Sequence, residues 1–155
     1  MLNLKELLNL SSFLLIQNPS SKKMVFDKIC NEAFEKYKID KNLLLNNLIK
    51  REKIGATAIG NGIAIPHVQN NQIMKPSCIV AILSEGLDFE ALDNNPVDLV
   101  VFLILPEISK SENLQILAQI SRLLRNSDIT DKLRGCKSVE SAFAIISQHL
   151  ENKAA

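Results

Sequence analysis

The first half of the chain contains two stretches in which apolar residues follow a helical pattern. After Pro19 and two serines, apolar residues between positions 26 and 37 recur at steps of three and four, with charged residues between them. This spacing predicts an amphipathic helix. A second helix is predicted from Asp40, which can cap it, to about Glu52, because Gly55 lies just beyond its end.

Between positions 55 and 106 the pattern changes to short β-branched runs separated by Gly, Pro, Asn and Asp. Such runs indicate strands and turns. The predicted strands cover residues 63–65, 77–83 and 98–105. The last two are apolar on both faces, which is typical of central strands covered by helices. Turns are predicted at 84–86 and 93–96, and a weak edge strand at 87–89.

From position 111 the helical pattern returns and predicts three more helices. The inner face of the first consists of aliphatic residues: Leu114, Leu117, Ile120, Leu123 and Leu124. That helix ends near Asn126, a short helix at 128–134 stops at Gly135, and Ser138 caps the last one. No repeat or linker divides the chain, so the sequence predicts one three-layer α/β domain over residues 1–155, with helices on both faces of a sheet.

The composition argues against several classes of protein. The chain has 155 residues with 18 basic and 17 acidic side chains, a formal charge of +1, so it lacks the basic excess expected of a nucleic-acid-binding protein. Its longest apolar runs, at 78–83 and 99–105, are far shorter than the roughly 20 residues of a membrane-spanning helix. No signal-peptide pattern is present, so we expect a cytoplasmic protein without membrane insertion.

Metal and disulfide chemistry are also disfavoured. With two histidines and three widely spaced cysteines, the sequence provides neither a zinc-binding pattern nor a disulfide framework. It also lacks the motifs of phosphate loops, dinucleotide sites and kinases. We therefore expect no metal and no cofactor, and any phosphoryl group that the chain handles would arrive already activated.

Acidic residues are concentrated in the middle third of the chain. Residues 54–106 contain five acidic side chains and one basic side chain, Lys75. A surface built from this segment would attract a basic partner. A solvated loop face is the alternative interpretation.

One segment, residues 50–67, combines features suited to phosphoryl transfer. His67 follows Pro66 after a short apolar run, so its imidazole would project at a sheet edge and stay partly exposed. A neutral imidazole is a nucleophile near pH 7 and can accept a phosphoryl group. That group needs positive charge and donors around it, and the candidates are Arg51, Thr57, Gly60 and Gly62.

Each of these residues also has a structural explanation when taken singly. An arginine in a last helical turn suits the helix dipole, glycines form turns, and a lone histidine in a loop is commonly a surface residue. The spacing of all of them together favours the chemical interpretation.

The segment resembles the phosphohistidine motif of the type-2 enzyme IIA domains of the bacterial phosphoenolpyruvate-dependent sugar phosphotransferase system. The pair Arg51-Glu52, followed by GATAIGNGIAIPH at residues 55–67, is most similar to the nitrogen-regulatory branch of that family. The similarity continues through DNNPVDL at 93–99 and covers about residues 20–150, the expected core of the domain. It implies an α/β fold with a mixed sheet between helices.

The resemblance implies a role for each matching residue. His67 is the position that the family phosphorylates, by transfer from a small histidine phosphocarrier protein, so we expect a phosphotransferase with a phosphohistidine intermediate. Arg51 matches the arginine that lines the family's site. Many members carry a second histidine near the start of the helix after the long strand. The best-matching position here is Gln115, whose amide can donate a hydrogen bond to a phosphoryl oxygen.

Three functional interpretations follow from this resemblance. The first is a regulatory phosphoryl-transfer protein whose target proteins distinguish its phosphorylated and free forms. The second is a fructose- or mannitol-type enzyme IIA that passes the phosphoryl group to an enzyme IIB. The third, suggested by Gln115 in place of a histidine, is a binding module without catalytic activity.

Overall fold

The computed structural model describes residues 3–154 and contains one mixed six-stranded sheet. The helices are α1 (Leu4–Leu7), α2 (Lys22–Tyr37), α3 (Lys41–Ile54), α4 (Lys110–Leu124), α5 (Ser127–Arg134) and α6 (Val139–Ala154). The strands are β1 (Phe13–Ile16), β2 (Ala58–Gly60), β3 (Ile63–Ala64), β4 (His67–Asn70), β5 (Ser77–Leu87) and β6 (Val97–Pro106). Strands β1, β5, β6, β3 and β2 lie side by side in that order, and β4 also pairs with β6.

The core forms on both faces of the sheet because the two central strands are apolar at nearly every position. Alternate side chains of a strand point to opposite faces. On β6, Leu103 and its neighbours at every second position pack against α4, α5 and α6, whereas Phe102 and Ile104 face the layer formed by α2 and α3. This arrangement confirms the predicted fold class, a mixed sheet between helices on both faces.

Helices α2 and α3 begin where the sequence predicts, each after a residue whose side chain caps it. The Ser21 hydroxyl accepts a hydrogen bond from the backbone N–H of Met24 at 3.0 Å, and Lys38 ends α2 in the left-handed conformation with φ 59°. The Asp40 carboxylate accepts from the N–H of Asn42 at 3.1 Å and so caps α3. Among the described residues, none of the helices combines the length and apolar character needed to span a bilayer.

The second central strand is longer than the sequence predicts. Residues 84–86 were expected to form a turn, but β5 continues through them to Leu87, which pairs with Val97 after a shift in register. Gly86 permits this course, because a Cβ there would lie 2.7 Å from the Cβ of Pro96. The predicted edge strand at 87–89 is also wrong, since β5 ends at Leu87 and Phe89 is buried with its ring centroid 6.0 Å from that of Phe26.

Helix α4 departs from the prediction near its start, whereas Leu117, Ile120, Leu123 and Leu124 pack in the core as predicted. Leu114, expected on the inner face, is 68% exposed. The polar residue before it, Asn113, is fully buried and donates its side-chain N–H to the carbonyl oxygen of Pro106 at 2.7 Å. A search for apolar residues does not select an asparagine for the inner face, but this amide satisfies a backbone carbonyl at the end of β6.

The pairing of β3 and β4 with β6 sets the position of His67, the candidate nucleophile. Strands β3 and β4 follow one another along β6, with Ile63 opposite Leu99 and His67 opposite Leu103. Between them, the carbonyl oxygen of Pro66 accepts a hydrogen bond from the N–H of Leu103 at 2.9 Å. The register of this pairing fixes where His67 lies along the sheet.

Candidate functional site

His67 opens β4, which pairs with β6 alone among the described strands. The residue is half-buried. Its imidazole therefore lies at an edge of the sheet and is reachable from outside, as the sequence predicts.

The backbone around His67 fixes which ring nitrogen carries the proton. Nδ1 lies 2.9 Å from the carbonyl oxygen of Ile65. A carbonyl oxygen only accepts hydrogen bonds, so Nδ1 must donate and therefore bears the hydrogen. Nε2 is left with its lone pair available, which is the state required of a nucleophile.

Arg51 lies next to that lone pair. It occupies the last turn of α3, and its Nε donates to Nε2 of His67 across 3.4 Å. Its Nη1 donates to the carbonyl oxygen of Gly55 at 2.9 Å, which holds the guanidinium in place. The structure thus brings together Arg51 and His67, which are 16 residues apart in the sequence, so that a cation borders the nitrogen from which a new bond would extend.

The surroundings favour the neutral imidazole. Burial, the largest effect, lowers the pKa of His67 below its ordinary value, and the charge of Arg51 lowers it as well. The hydrogen bond to Ile65 and the carboxylate of Glu52 raise the pKa, but the net shift is downward. At neutral pH the ring is therefore unprotonated at Nε2, since its unperturbed pKa is already about 6.5.

Thr57, the third predicted site residue, is buried, and its hydroxyl already has a hydrogen-bond partner. It donates to Oε1 of Glu52, while the backbone carbonyl of Thr57 accepts from the N–H of Ile65 at 3.0 Å. Thr57 therefore supports the residue whose carbonyl orients His67. The hydroxyl is not free to donate to a phosphoryl group unless Glu52 releases it.

Sequence reasoning missed Glu52 and Lys22 as parts of the site. The Glu52 side chain is 7% exposed and its Oε2 lies 2.6 Å from Nζ of Lys22, at the start of α2. The available signal was the position of Glu52 directly after Arg51, inside the motif. Lys22 offered no signal, because it reaches this carboxylate only through the packing of α2 on α3.

The glycines at positions 60 and 62 form the β2–β3 turn and have positive φ angles, 98° and 79°. Asn61, between them, donates its N–H to Asp93 at 3.0 Å and accepts from Nη2 of Arg134 at 2.6 Å. The carbonyl of Gly62 accepts from the N–H of Leu99.

The structure does not bring these glycines to His67. Leu99 lies four residues along β6 from Leu103, the partner of His67, and four strand residues span about 13 Å. The predicted contact of the amides of Gly60 and Gly62 with the phosphoryl group therefore does not fit this geometry. Their role is to shape the turn.

Gln115 lies on the exposed side of α4 and makes no side-chain hydrogen bond within residues 3–154. The family resemblance assigned Gln115 to the position of a second site histidine. In the structure the Gln115 side chain is exposed, and Asn113, two residues earlier, is the buried polar residue of α4. Within the described residues, no group of three or more His, Cys, Asp or Glu side chains could hold a metal ion.

The family model described as "Phosphoenolpyruvate-dependent sugar phosphotransferase system, EIIA 2" matches residues 6–149. This chain belongs to that family. The predicted family is thereby confirmed, and membership assigns the EIIA 2 chain to phosphotransfer in this system.

Individual relatives of this EIIA 2 chain include regulatory and sugar-specific proteins. A nitrogen regulatory protein of Pseudomonas aeruginosa is 37% identical over 147 residues, which cover 94% of this chain and 96% of the relative. A fructose-specific EIIA component of Haloferax volcanii is 29% identical over 134 residues, 86% of this chain and 87% of the relative. The crystal structure of nitrogen regulatory protein IIA-Ntr from Neisseria meningitidis matches with a TM-score of 0.82 and 28% identity, covering 90% of this chain and 96% of that one.

The β2–β3 turn yields a first prediction. Replacing Gly62 by Ala puts a Cβ 2.7 Å from Nη2 of Arg134 in a backbone with φ 79°. We expect the free energy of unfolding to fall by about 1 to 3 kcal/mol. Gly55→Ala is the matched control, because φ there is 175° and nothing lies within 4 Å. Urea unfolding curves measure both variants, and equal midpoints for the two would contradict the role assigned to the turn.

The environment of His67 yields a second prediction. We expect its NMR titration midpoint to lie below about 6.5, and Arg51→Ala to raise it, because one cause of the lowered pKa is removed. The folded pKa is below the unfolded one, so this group's contribution to stability is present above about pH 6.5 and is lost as the pH falls through the folded pKa. A midpoint above 6.5 in the native chain would refute the neutral imidazole.

Proposed function

We propose that this EIIA 2 chain is a regulatory phosphoryl-transfer protein that accepts a phosphoryl group on Nε2 of His67 from a histidine phosphocarrier protein. The observation that carries the proposal is the hydrogen bond from Nδ1 to the Ile65 carbonyl at 2.9 Å. It leaves Nε2 as the nucleophilic nitrogen and directs it toward Arg51. The 37% sequence identity to the nitrogen regulatory protein of Pseudomonas aeruginosa supports the regulatory role.

The transfer step uses only groups of the two proteins. The lone pair of Nε2 attacks phosphorus, a new N–P bond forms, and the N–P bond of the carrier's phosphohistidine breaks with its electron pair returning to the carrier's nitrogen. The proton on Nδ1 of His67 stays in place. The ring becomes cationic during transfer, and the Ile65 carbonyl stabilises that charge because the N–H already points to it.

Arg51 changes partner during this step. Before transfer its Nε faces the lone pair of Nε2. Once that lone pair is bonded to phosphorus, the phosphoryl oxygens occupy the space in front of the guanidinium. A planar guanidinium with several N–H donors matches such oxygens in geometry and charge.

Regulation would follow from the change of charge at an accessible edge. A phosphoryl group adds roughly −1.5 to −2 charges, and His67 lies where an approaching protein can contact it. One turn after Arg51, Ile54 is 84% exposed and offers apolar surface beside the site. A target protein that covers this surface would detect whether His67 is phosphorylated. We also propose that the protein acts in the cytoplasm and that residues 1–155 act as a single domain.

A sugar-specific enzyme IIA is the second candidate. The fructose-specific EIIA component of Haloferax volcanii, at 29% identity, favours it. In that case the phosphoryl group would pass from His67 to an enzyme IIB by the same bond exchange in reverse. The binding-module alternative is weakened by the Arg51–His67 contact, since a module without chemistry has no need of an oriented nucleophile.

The proposed function predicts one phosphorylation site. Native chain incubated with phosphoenolpyruvate, enzyme I and a phosphocarrier protein from the same organism should gain one phosphoryl group in intact-mass analysis, and His67→Ala should gain none. The measurement is made at neutral or alkaline pH because phosphohistidine is acid-labile. No gain by the native chain, with the carrier itself phosphorylated, would refute the proposal and favour the binding module. Adding an enzyme IIB separates the two transfer roles, because only the sugar-specific protein should pass the group on.

Arg51 gives a separate prediction on the rate. We expect Arg51→Ala to accept the phosphoryl group about 100-fold more slowly, as is usual when one preorganised charge-stabilising donor is lost. Arg51→Lys should recover only part of the rate, because a lysine keeps the charge but not the fork of donors. Rapid-quench measurements with phosphorylated carrier give these rates. Equal rates for Arg51→Ala and the native chain would show that the guanidinium has no part in the transfer.

A further inference from the structure

Five residues around the nucleophile form a closed ring of contacts. Arg51 contacts Nε2 of His67, and Nδ1 of His67 contacts the carbonyl of Ile65. The N–H of Ile65 donates to the carbonyl of Thr57, and the hydroxyl of Thr57 donates to Glu52. Glu52 is the neighbour of Arg51 in the chain, so the ring closes through the backbone of α3.

We propose that Glu52 is a positioning residue for phosphoryl acceptance: it holds the Thr57 segment so that the imidazole of His67 keeps its proton on Nδ1 and presents Nε2. The inference rests on the function proposed above. It assigns to Glu52 a task performed through other residues, without contact with the phosphoryl group.

Thr57 links Glu52 to the backbone near His67, because both its hydroxyl and its backbone carbonyl are hydrogen-bonded. Its hydroxyl is bound to Glu52 and its backbone carbonyl to Ile65. Ile65 in turn precedes Pro66, whose ring restricts the backbone next to the carbonyl that His67 uses. A change at Glu52 therefore reaches the ring orientation over two hydrogen-bonded steps.

Lys22 explains how a carboxylate can stay beside a phosphoryl-accepting histidine. A buried carboxylate without a partner is destabilising, and it would repel an incoming dianionic group. Lys22 lies 2.6 Å from Oε2 and also lies over the rings of Phe26 and Phe89, with its Nζ 5.7 and 5.4 Å from their centroids. The ammonium is thus held on the far side of Glu52, where it balances the charge.

If Glu52 had a purely structural role, its ion pair with Lys22 would serve only to hold α2 and α3 together. The two helices already have such a link at their exposed surface, the ion pair between Lys41 and Asp27 at 3.0 Å. That pair has no connection to Thr57 or to His67 among the contacts of the described residues. It therefore provides the matched control: an α2–α3 ion pair outside the ring.

The test compares Glu52→Gln, Thr57→Val, Thr57→Ser and the control Asp27→Asn in the full chain. The first readout is the ¹⁵N chemical shifts of the His67 ring in unphosphorylated protein, which report the tautomer, with His149 as internal reference. The second is the rate of phosphoryl acceptance from phosphorylated carrier. We expect Glu52→Gln and Thr57→Val to move the shifts toward a mixture of tautomers and to lower the rate by about tenfold or more, since small misplacements of a reacting group have such effects. Thr57→Ser, which keeps the hydroxyl, and Asp27→Asn should match the native chain in both readouts.

Native shifts and native rates in both Glu52→Gln and Thr57→Val would overturn the positioning role. Loss of rate with unchanged shifts would also overturn it, since Glu52 would then act by another route. If Glu52→Gln fails to fold because Lys22 is left unpaired, the double variant Lys22→Met/Glu52→Gln removes that charge and is measured instead. The tautomer readout does not require phosphorylation. If the native chain accepts no phosphoryl group, the proposed function is refuted, and altered shifts in Glu52→Gln and Thr57→Val would still show that Glu52 positions the His67 ring.

Discussion

The pairing of β6 on both of its sides is the constraint on which the rest of the structure depends. Strand β5 runs antiparallel along one side, and β3 and β4 run parallel along the other. Every residue of β6 except Asp98 is buried, so a shift of one residue would move apolar side chains from one core to the other. Because the register cannot slip, the position of His67 opposite Leu103 is determined by the burial of the whole sheet.

The other residues of the site reach His67 through contacts within a short stretch of chain. The chain leaves α3 at Ile54 and returns as β2 only four residues later, so Arg51, Thr57 and His67 are held by the same small region. A neutral histidine at a sheet edge has freedom to rotate and to exchange its proton between two nitrogens. Here one backbone carbonyl and one guanidinium remove that freedom. The reactivity proposed for His67 therefore depends on backbone geometry as much as on the imidazole itself.

Much of the architecture could be predicted from the sequence because it depends on local patterns. Capping residues and apolar periodicity predict α2 and α3, and α3 carries Arg51. The long apolar runs predict the two buried strands. The errors arose where a polar residue has a tertiary partner. Ser84 to Gly86 were expected to turn the chain, yet they extend a strand that bends past Pro96. Asn113 was not among the residues predicted for the inner face of α4, yet its amide satisfies the last carbonyl of β6.

The same reason limits what the sequence revealed about the site. His67 and Arg51 could be proposed from the sequence because an imidazole and a guanidinium have recognisable chemistry. The role of Glu52 depends on which hydroxyl its carboxylate meets, and that contact exists only after α2, α3 and the β2 segment have packed. Gly60 and Gly62 show the same limit, because glycine is used both to expose amides and to form tight turns. The contacts of Asp93 and Arg134 with Asn61, between the two glycines, exist only in the folded chain.

The interruption at Pro66 also affects how the protein associates with others. A long open strand edge is a template on which another chain can add its own strand, and such edges promote aggregation. In this sheet β2 covers β3, and Pro66 separates β3 from β4, so the open edge beside His67 is only four residues long. The site can thus be exposed to folded partners, which contact it through side chains, while it offers little backbone to an unfolded chain.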